Sequence, residues 1–193
     1  MFTKYLLLGT AVVSLLFAGC TISTHKEHGE NGEDKDVDIR TPLGSISVHK
    51  GSATAKETGL AAYPGAQLKT DEQDEHSSAN VNISSSLFGG LRVVAAKYRS
   101  DDPPDKILAF YRKELAHYGK IVDCTGGFNM HFEPHQKDNP VTCNDSDRSD
   151  HDYKEELKVG TENNQRIIAV KPSGKGSEFA MVYVRAHDNK DSM

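Results

Sequence analysis

The chain contains no tryptophan, only three cysteines among 193 residues, and an aromatic content of 7%. No apolar run is long enough to cross a bilayer comfortably as a helix, which needs about 20 apolar residues. The chain also lacks the nucleophile elbow G-x-S-x-G, the zinc motif H-E-x-x-H, the phosphate-binding P-loop and the dinucleotide fingerprint. With 36% hydrophobic residues, the chain is expected to form a modest core, and no motif assigns a reaction to it.

A basic surplus is also missing. The chain has 23 Lys and Arg against 28 Asp and Glu, for a net charge of −5. Removing residues 1–19, which carry Lys4 and no acid, makes the remainder more negative by one charge. Sequence-independent nucleic-acid binding requires a basic surface, so we expect no nucleic-acid partner.

The N-terminus has the layout of a bacterial lipoprotein signal. Lys4 precedes an apolar stretch over 5–18, and Ala18 and Gly19 lead directly to Cys20. Phe17 stands where such signals usually have leucine, so an ordinary cleaved signal peptide stays open as an alternative. If the lipoprotein interpretation holds, the mature chain begins at Cys20, and acyl chains such as palmitate on its thiol and amine anchor it to a membrane.

The residue after the lipidated cysteine indicates which membrane is involved. Position 21 is threonine and not aspartate, and by resemblance to Gram-negative lipoproteins this favours the outer membrane, facing the periplasm. The expected location is therefore the cell envelope.

Composition divides the chain into four parts. They are a signal peptide over 1–19, a lipidated cysteine with a flexible tether over 20–36, a single α+β domain over 37–186 and a C-terminal tail over 187–193. The tether is predicted because its charged, glycine-containing sequence buries too little apolar surface to offset the entropy of ordering.

Alternation of apolar and polar residues predicts an antiparallel β-sheet. The predicted strand segments lie at 37–49, 81–99, 121–124, 157–159, 166–171 and 179–185. Residues 50–59 are small and polar and are expected to form a linker.

One main amphipathic helix is predicted to pack on this sheet. Asp101 and Asp102 precede Pro103 and Pro104, an arrangement typical of a helix start with an aspartate cap. Gly119 is placed to end the helix. The residues at helical spacing are Ile107, Leu108, Tyr111, Leu115 and Tyr118. The predicted fold class is α+β.

Cys124 and Cys143 are the cysteines that remain after the anchor. In an oxidising compartment, paired thiols persist as disulfides. We therefore expect a Cys124–Cys143 disulfide that ties a long polar excursion back to the strand after the helix.

A zinc site in the 124–156 loop is an alternative use of the same cysteines. His131 and His135 are spaced H-x₃-H, with Glu133 between them, and two Cys with two His form a zinc ligand set. The cysteines lack the close spacing of structural zinc sites, and an oxidised pair supplies no thiolate. A catalytic metal on the two histidines and Glu133 is a further alternative.

A calcium site is a second metal hypothesis for this loop. Asp145, Asp147, Ser149 and Glu156 match positions 1, 3, 5 and 12 of an EF-hand loop. Asp150 stands where that loop requires glycine, so weak binding by clustered carboxylates is the most that the pattern predicts.

Several segments together resemble uncharacterised lipoproteins of Gram-negative bacteria over roughly residues 37–186. The segments are Tyr63-Pro64-Gly65-Ala66, Tyr98 through Asp102, Phe110 through Leu115, and the hairpin over 165–184. The resemblance implies this architecture and an extracytoplasmic location. It implies no activity, ligand or site residue.

The sequence thus predicts a lipid-anchored, non-catalytic lipoprotein of the cell envelope that binds a protein partner or supports envelope assembly. Its only expected covalent group is the lipid on Cys20, its membrane contact is through that lipid, and no small-molecule substrate is identified. A periplasmic protein that binds zinc or calcium is one alternative, and a hydrolase without a recognisable motif is another.

Overall fold

The computed structural model describes residues 21–29, 32–50, 53–69, 78–86, 89–125, 139–143 and 153–187. Within these ranges the chain forms one antiparallel sheet of ten strands with two short helices. The strands are β1 (Thr21–Gly29), β2 (Gly32–Thr41), β3 (Gly44–Lys50), β4 (Gln67–Leu68), β5 (Ser78–Ser85), β6 (Gly89–Ser100), β7 (Ile121–Thr125), β8 (Glu155–Thr161), β9 (Asn164–Ser173) and β10 (Gly176–His187). The helices are α1 (Ala55–Thr58) and α2 (Pro104–Leu115), and a 3₁₀ turn follows at Ala116–Tyr118.

The strands pair in the order β1-β2-β3-β5-β6-β10-β9-β8-β7, and β4 pairs with the end of β6. The predicted antiparallel sheet with helices is confirmed at this level. The strand segment predicted over 37–49 corresponds to the end of β2 and to β3, which pair as a hairpin, and the pairing of β3 with β5 joins them to the main sheet.

The largest apolar cluster lies between α2 and the middle of the sheet. Tyr63, Tyr98, Tyr111 and Phe179 pack there with ring centroids 5.5–6.5 Å apart in the pairs that contact. Tyr111 and Phe179 are completely buried. Aromatic pairs of this kind contribute about 0.5–1.5 kcal/mol beyond their area, so this cluster fixes α2 on the sheet.

A second, smaller cluster lies on other positions of the same strands. It contains Ile167 of β9 and Val182 and Val184 of β10, with Leu91 and Val93 of β6 packed against them. Side chains alternate between the faces of a strand, so this cluster occupies the face opposite α2. The central strands β6, β9 and β10 are therefore apolar on both sides.

Helix α2 buries the face that the sequence predicts, with one exception at its end. Ile107, Leu108, Tyr111 and Leu115 are buried, whereas Tyr118 lies beyond the helix and is 39% exposed. The predicted aspartate cap is wrong. Pro103 is the N-cap residue, and its side chain has no acceptor that could cap the helix. The Asp102 carboxylate accepts hydrogen bonds from Tyr63 and Lys106.

The predicted flexible tether over 20–36 is also wrong for the part that the structure describes. Residues 21–29 form β1 and residues 32–41 form β2, and the two strands pair from Thr21 with Arg40 to Gly29 with Gly32. The disorder was predicted from composition alone. Composition does not account for the backbone hydrogen bonds that β3, at the edge of the sheet, offers to the preceding hairpin. The predicted linker over 50–59 likewise contains α1.

Arg166 of β9 joins α1 and the 3₁₀ turn to the sheet. Its guanidinium carbon lies 3.8 Å from the ring centroid of Tyr118 and 4.7 Å from that of Tyr183. Its Nε donates a 3.1 Å hydrogen bond to the carbonyl of Thr58. In the part of the chain that the structure describes, no helix is long and apolar enough to span a membrane.

Candidate functional site

The Cys124–Cys143 disulfide is present, with the two Cα atoms 5.5 Å apart. Cys124 lies in β7 and is buried. Cys143 ends the segment 139–143, whose Val141 N–H donates a 3.2 Å hydrogen bond to Gly160 O of β8. The predicted disulfide is therefore confirmed, and it fixes the end of the excursion to the sheet edge.

The disulfide removes both cysteines from the predicted zinc ligand set. A sulfur in a disulfide is not a thiolate, and only the thiolate binds metal. The oxidised protein therefore cannot form the predicted set of two cysteines with His131 and His135.

Glu156, the predicted calcium ligand at position 12, lies in β8 with its carboxylate buried beside Lys158. The other predicted metal ligands lie outside the described residues, and these are His131, Glu133, His135, Asp145, Asp147 and Ser149. The lipidation residue Cys20 lies outside them too. Within the described ranges, no group of three or more His, Cys, Asp or Glu side chains is arranged to hold a metal ion. Metal binding by the loop stays a prediction.

Next to the disulfide, β8 buries a pair of opposite charges. Glu156 pairs with Cys124 across the strands, and Lys158 follows two positions later on the same face. The Lys158 ammonium lies 3.4 Å from the Glu156 carboxylate, and both side chains are at most 5% exposed. An unpaired buried charge is strongly destabilising, so each residue makes the burial of the other tolerable.

A second group of buried charges lies on the same face. Glu178 of β10 is 3.4 Å from both Lys69 and Lys171, one on each carboxylate oxygen, and its side chain is 7% exposed. The Lys171 ammonium also lies 5.2 Å from the ring centroid of Tyr153. These pairs hold strands together, and their geometry presents no nucleophile.

The N-terminal strands bring Ser47, His49 and Asp36 together. Ser47 Oγ lies 2.7 Å from His49 Nε2, and His49 Nδ1 lies 3.1 Å from Asp36 Oδ1. A hydroxyl on one imidazole nitrogen and a carboxylate on the other is the arrangement that activates a serine nucleophile. The His49 and Asp36 side chains are each about one-third exposed, at 35% and 33%.

The strand register explains why these three residues meet. Ser47 and His49 are two positions apart in β3 and therefore share a face. Asp36 of β2 is the paired residue of His49. The sequence prediction assigns position 36 to the tether, so the pairing of Asp36 with His49 is established by the structure.

Side-chain amides continue this polar group toward α1. Asn82 is the paired residue of Ser47, and Asn80 is the paired residue of His49. Asn82 Nδ2 donates a 3.0 Å hydrogen bond to Asn80 Oδ1, and Asn80 Nδ2 donates a 2.8 Å bond to Glu57 Oε1. Glu57 also accepts the N–H of Thr54 at the start of α1. Each amide next to Ser47 and His49 is thus held by a further residue.

One end of the sheet exposes large apolar side chains. Ile22 is 66% exposed, Leu43 is 60%, Ile46 is 40% and Ile83 is 37%. Ile22 and Ile46 lie near the starts of β1 and β3, Ile83 lies near the end of β5, and Leu43 lies in the turn between β2 and β3. This group is called the apolar end below.

Comparisons with known proteins add nothing to this geometry. No family model matches the chain, and neither the curated proteins nor the solved structures contain a significant match.

Proposed function

We propose that this chain is a lipid-anchored protein of the cell envelope whose folded domain acts by binding a protein partner or supporting envelope assembly. The observation that carries the proposal is the sequence Leu16 through Cys20, a lipobox-like segment after an apolar stretch. The resemblance to uncharacterised Gram-negative lipoproteins supports it.

The disulfide is consistent with this location. Disulfides persist in the periplasm and other oxidising compartments and are rare in the cytosol. The Cys124–Cys143 bond therefore fits an exported chain. The residue after the anchor, Thr21, supports the outer membrane as its destination.

Metabolic labelling tests the anchor. Cells expressing the full chain are grown with an alkyne analogue of palmitate, and the protein is recovered and coupled to a fluorophore. We expect label on the wild-type protein, recovery in the membrane fraction, and loss of both in Cys20→Ala. Equal labelling of Cys20→Ala, or an unlabelled wild-type protein in the soluble fraction, would refute the anchor.

The binding role has its own test. Crosslinking in intact envelopes is expected to capture a discrete partner whose yield saturates with expression of the chain. Folded, anchored protein without any saturable crosslink contradicts partner binding while leaving the anchor intact.

A second candidate function is acyl transfer or ester hydrolysis, and the contacts of Ser47 and His49 favour it. In such a reaction, Ser47 Oγ attacks the carbonyl carbon while its proton passes to His49 Nε2. Asp36 keeps the imidazole oriented. His49 then gives that proton to the departing alcohol, and water releases the acid from the acylated serine in a second cycle.

The neighbouring amide gives this candidate a group for the developing negative charge. Asn82 is paired with Ser47, and one N–H of its amide is committed to Asn80. A side-chain amide N–H near a nucleophile can stabilise an oxyanion. The partial exposure of His49 and Asp36 admits water, so the expected activity is slow.

An activity-based probe distinguishes the two candidates. The purified full chain is treated with a fluorophosphonate, which phosphonylates activated serines. Hydrolysis predicts labelling of the wild type that is lost in Ser47→Ala and His49→Gln and retained in Ser45→Ala, a serine on the same face of β3. No labelling of the wild type, or undiminished labelling of Ser47→Ala, removes this candidate.

A further inference from the structure

We infer that the apolar end of the sheet rests on the surface of the membrane that holds the acyl chains of Cys20. The inference depends on the proposed lipid anchor and adds a contact that the anchor alone does not require. It concerns Ile22, Leu43, Ile46 and Ile83, which are four of the five large apolar side chains exposed among the described residues.

The strand register places the three exposed isoleucines, Ile22, Ile46 and Ile83, in one row. Ile22 pairs with Ile39, Ile39 with Ile46, Ile46 with Ile83, and Ile83 with Leu91. Directly paired residues project on the same side of a sheet. Leu91 packs against the second apolar cluster, so the row continues that cluster on the face opposite α2.

A second apolar row runs beside the first. Val37, Val48, Val81 and Val93 pair in succession across β2, β3, β5 and β6. Monomeric soluble proteins rarely expose a large contiguous apolar surface, and such a surface commonly marks a protein or membrane contact. The isoleucine row and the valine row lie side by side and together form one contiguous apolar surface.

Leu43 extends the apolar end past the strands. It lies in the turn between β2 and β3, and its carbonyl accepts hydrogen bonds from the N–H and the hydroxyl of Ser86. These bonds hold the turn against the loop after β5. The exposed Leu43 side chain is therefore presented from an anchored backbone.

The position of Cys20 selects a lipid surface as the occupant. Thr21 is the first residue of β1 and Ile22 is the second, so the acylated residue directly precedes the strand. One strand residue spans about 3.3 Å, and Ile22 therefore lies about 7 Å along the chain from the anchor. When the acyl chains on Cys20 insert into the bilayer, they hold the apolar end at the depth of the lipid headgroups, because no spacer separates Cys20 from β1.

Arg40 adds a charge at the same level. Its Cα pairs with Thr21 on one side and with Ser45 on the other, and its side chain is exposed. A basic side chain near an anionic lipid surface is attracted to it. Because Arg40 directly follows Ile39 in β2, it carries this charge on the face opposite the apolar row, at the end of the strand nearest the anchor.

The inference is tested with the full, lipidated chain reconstituted into liposomes of phosphatidylethanolamine and phosphatidylglycerol. An environment-sensitive fluorophore is attached to Ile46→Cys, and lipids carrying a doxyl quencher are added. The matched control is Lys175→Cys, an exposed position in the turn between β9 and β10 at the opposite end of the sheet. We expect lipid quenching of the Ile46 label to exceed that of the control by about threefold or more.

A surface variant checks that the apolar side chains cause the contact. A Leu43→Cys label is compared with and without Ile22→Ser, Ile46→Ser and Ile83→Ser. The triple variant is expected to float with the liposomes through its lipid while its label loses most of the quenching. Circular dichroism and an intact disulfide confirm that the variant is folded.

The outcomes separate this inference from the anchor. A wild-type chain that does not float with liposomes refutes the proposed anchor. A chain that floats while both labels are quenched weakly and equally refutes the membrane contact alone. Energy transfer between Ile46 labels on different molecules without lipid quenching identifies a second copy as the occupant and also refutes it.

Discussion

The phenol of Tyr63 donates a 2.8 Å hydrogen bond to the carboxylate of Asp102. This contact joins the turn after α1 to the residue that precedes the N-cap of α2. The second Asp102 oxygen accepts a 2.7 Å hydrogen bond from Lys106, in the first turn of the helix. The Asp102 backbone carbonyl accepts a further bond from Ser177 of β10. One residue therefore connects the Tyr63 turn, α2 and the central strand β10.

We expect a pH dependence of stability from Asp102. The hydrogen bond from Lys106, followed by the one from Tyr63, lowers the pKa of Asp102 below its ordinary value of 3.8. As pH falls, the unfolded chain therefore takes up the proton first. The stabilisation is fully present above about pH 3.8 and is lost as pH falls through the lower pKa of the folded state.

Thermal unfolding at a series of pH values tests this expectation. The melting temperature of the wild type should fall more steeply below pH 3.8 than that of Asp102→Asn, which has no carboxylate to protonate. Tyr63→Phe, which removes one of the two hydrogen bonds, should lie between them. Parallel curves for the wild type and Asp102→Asn would show that Asp102 does not contribute in this way.

The disulfide is expected to make a large contribution to stability. Cys124 and Cys143 are 19 residues apart, and the chain-entropy model assigns a loop of this size about 3 kcal/mol. Cys124→Ala with Cys143→Ala should lower the unfolding free energy by about this amount in urea titrations. The wild type in reductant serves as the control and should match the double variant. An unchanged urea midpoint in both would contradict the prediction.

Arg166 is expected to couple energetically to Tyr118. The guanidinium lies 3.8 Å from the Tyr118 ring centroid and also donates to the Thr58 carbonyl. Arg166→Met keeps the apolar stem and should lower the unfolding free energy by about 1–2 kcal/mol. A double-mutant cycle with Tyr118→Leu should give a coupling energy of about 0.5–1 kcal/mol. Strict additivity of the two substitutions would argue against a cation–π contact.

Substitution by alanine should destabilise the protein to different extents at Gly160 and at Gly174. Gly160 has φ +107°, and a Cβ there would lie 2.1 Å from the backbone oxygen of Asn164, whereas Gly174 has φ +60° with nothing within 4 Å. Gly160→Ala should therefore destabilise the protein by at least about 2 kcal/mol. Gly174→Ala should lose only about 1 kcal/mol, the strain of the left-handed conformation.

Chemical denaturation of the two variants provides the measurement, and each variant controls for the loss of glycine in the other. Equal losses at the two positions would mean that the contact with Asn164 relaxes without penalty.

Local patterns predicted most of the helices and strands, because the apolar residues of each element recur at the spacing that its geometry requires. The alternation over 166–171 and 179–185 became β9 and β10, and the 3.6-residue spacing from Ile107 to Leu115 became α2. The Cys124–Cys143 bond was also predictable, since two cysteines allow only one intramolecular pair.

The order of the strands was not predictable from these patterns. β10 pairs with β9, the strand that precedes it in sequence, but its other edge pairs with β6. That pairing depends on the arrangement of the whole sheet, and no pattern in the local sequence of either strand indicates it. The prediction for 21–36 was wrong for the same reason, because a polar segment becomes a strand when a neighbouring strand offers its hydrogen bonds.

The candidate site was missed because its residues carry no motif. Ser47 and His49 have the spacing of any two residues on one face of a strand. Their relationship to Asp36 follows only from the hairpin register, and their relationship to Asn80 and Asn82 requires the pairing of β3 with β5. A prediction that stopped at the elements could not bring these side chains together.

The central place of β10 has a consequence for how the molecule matures. Tyr98 of β6 faces Phe179 of β10, a separation of roughly 80 residues, and contacts so distant in sequence slow folding. The middle of the sheet stays open until the last strand arrives. The pairing of β6 with β10 therefore cannot form before the last strand has been synthesised, and the proposed export, which requires an unfolded chain, is compatible with that order.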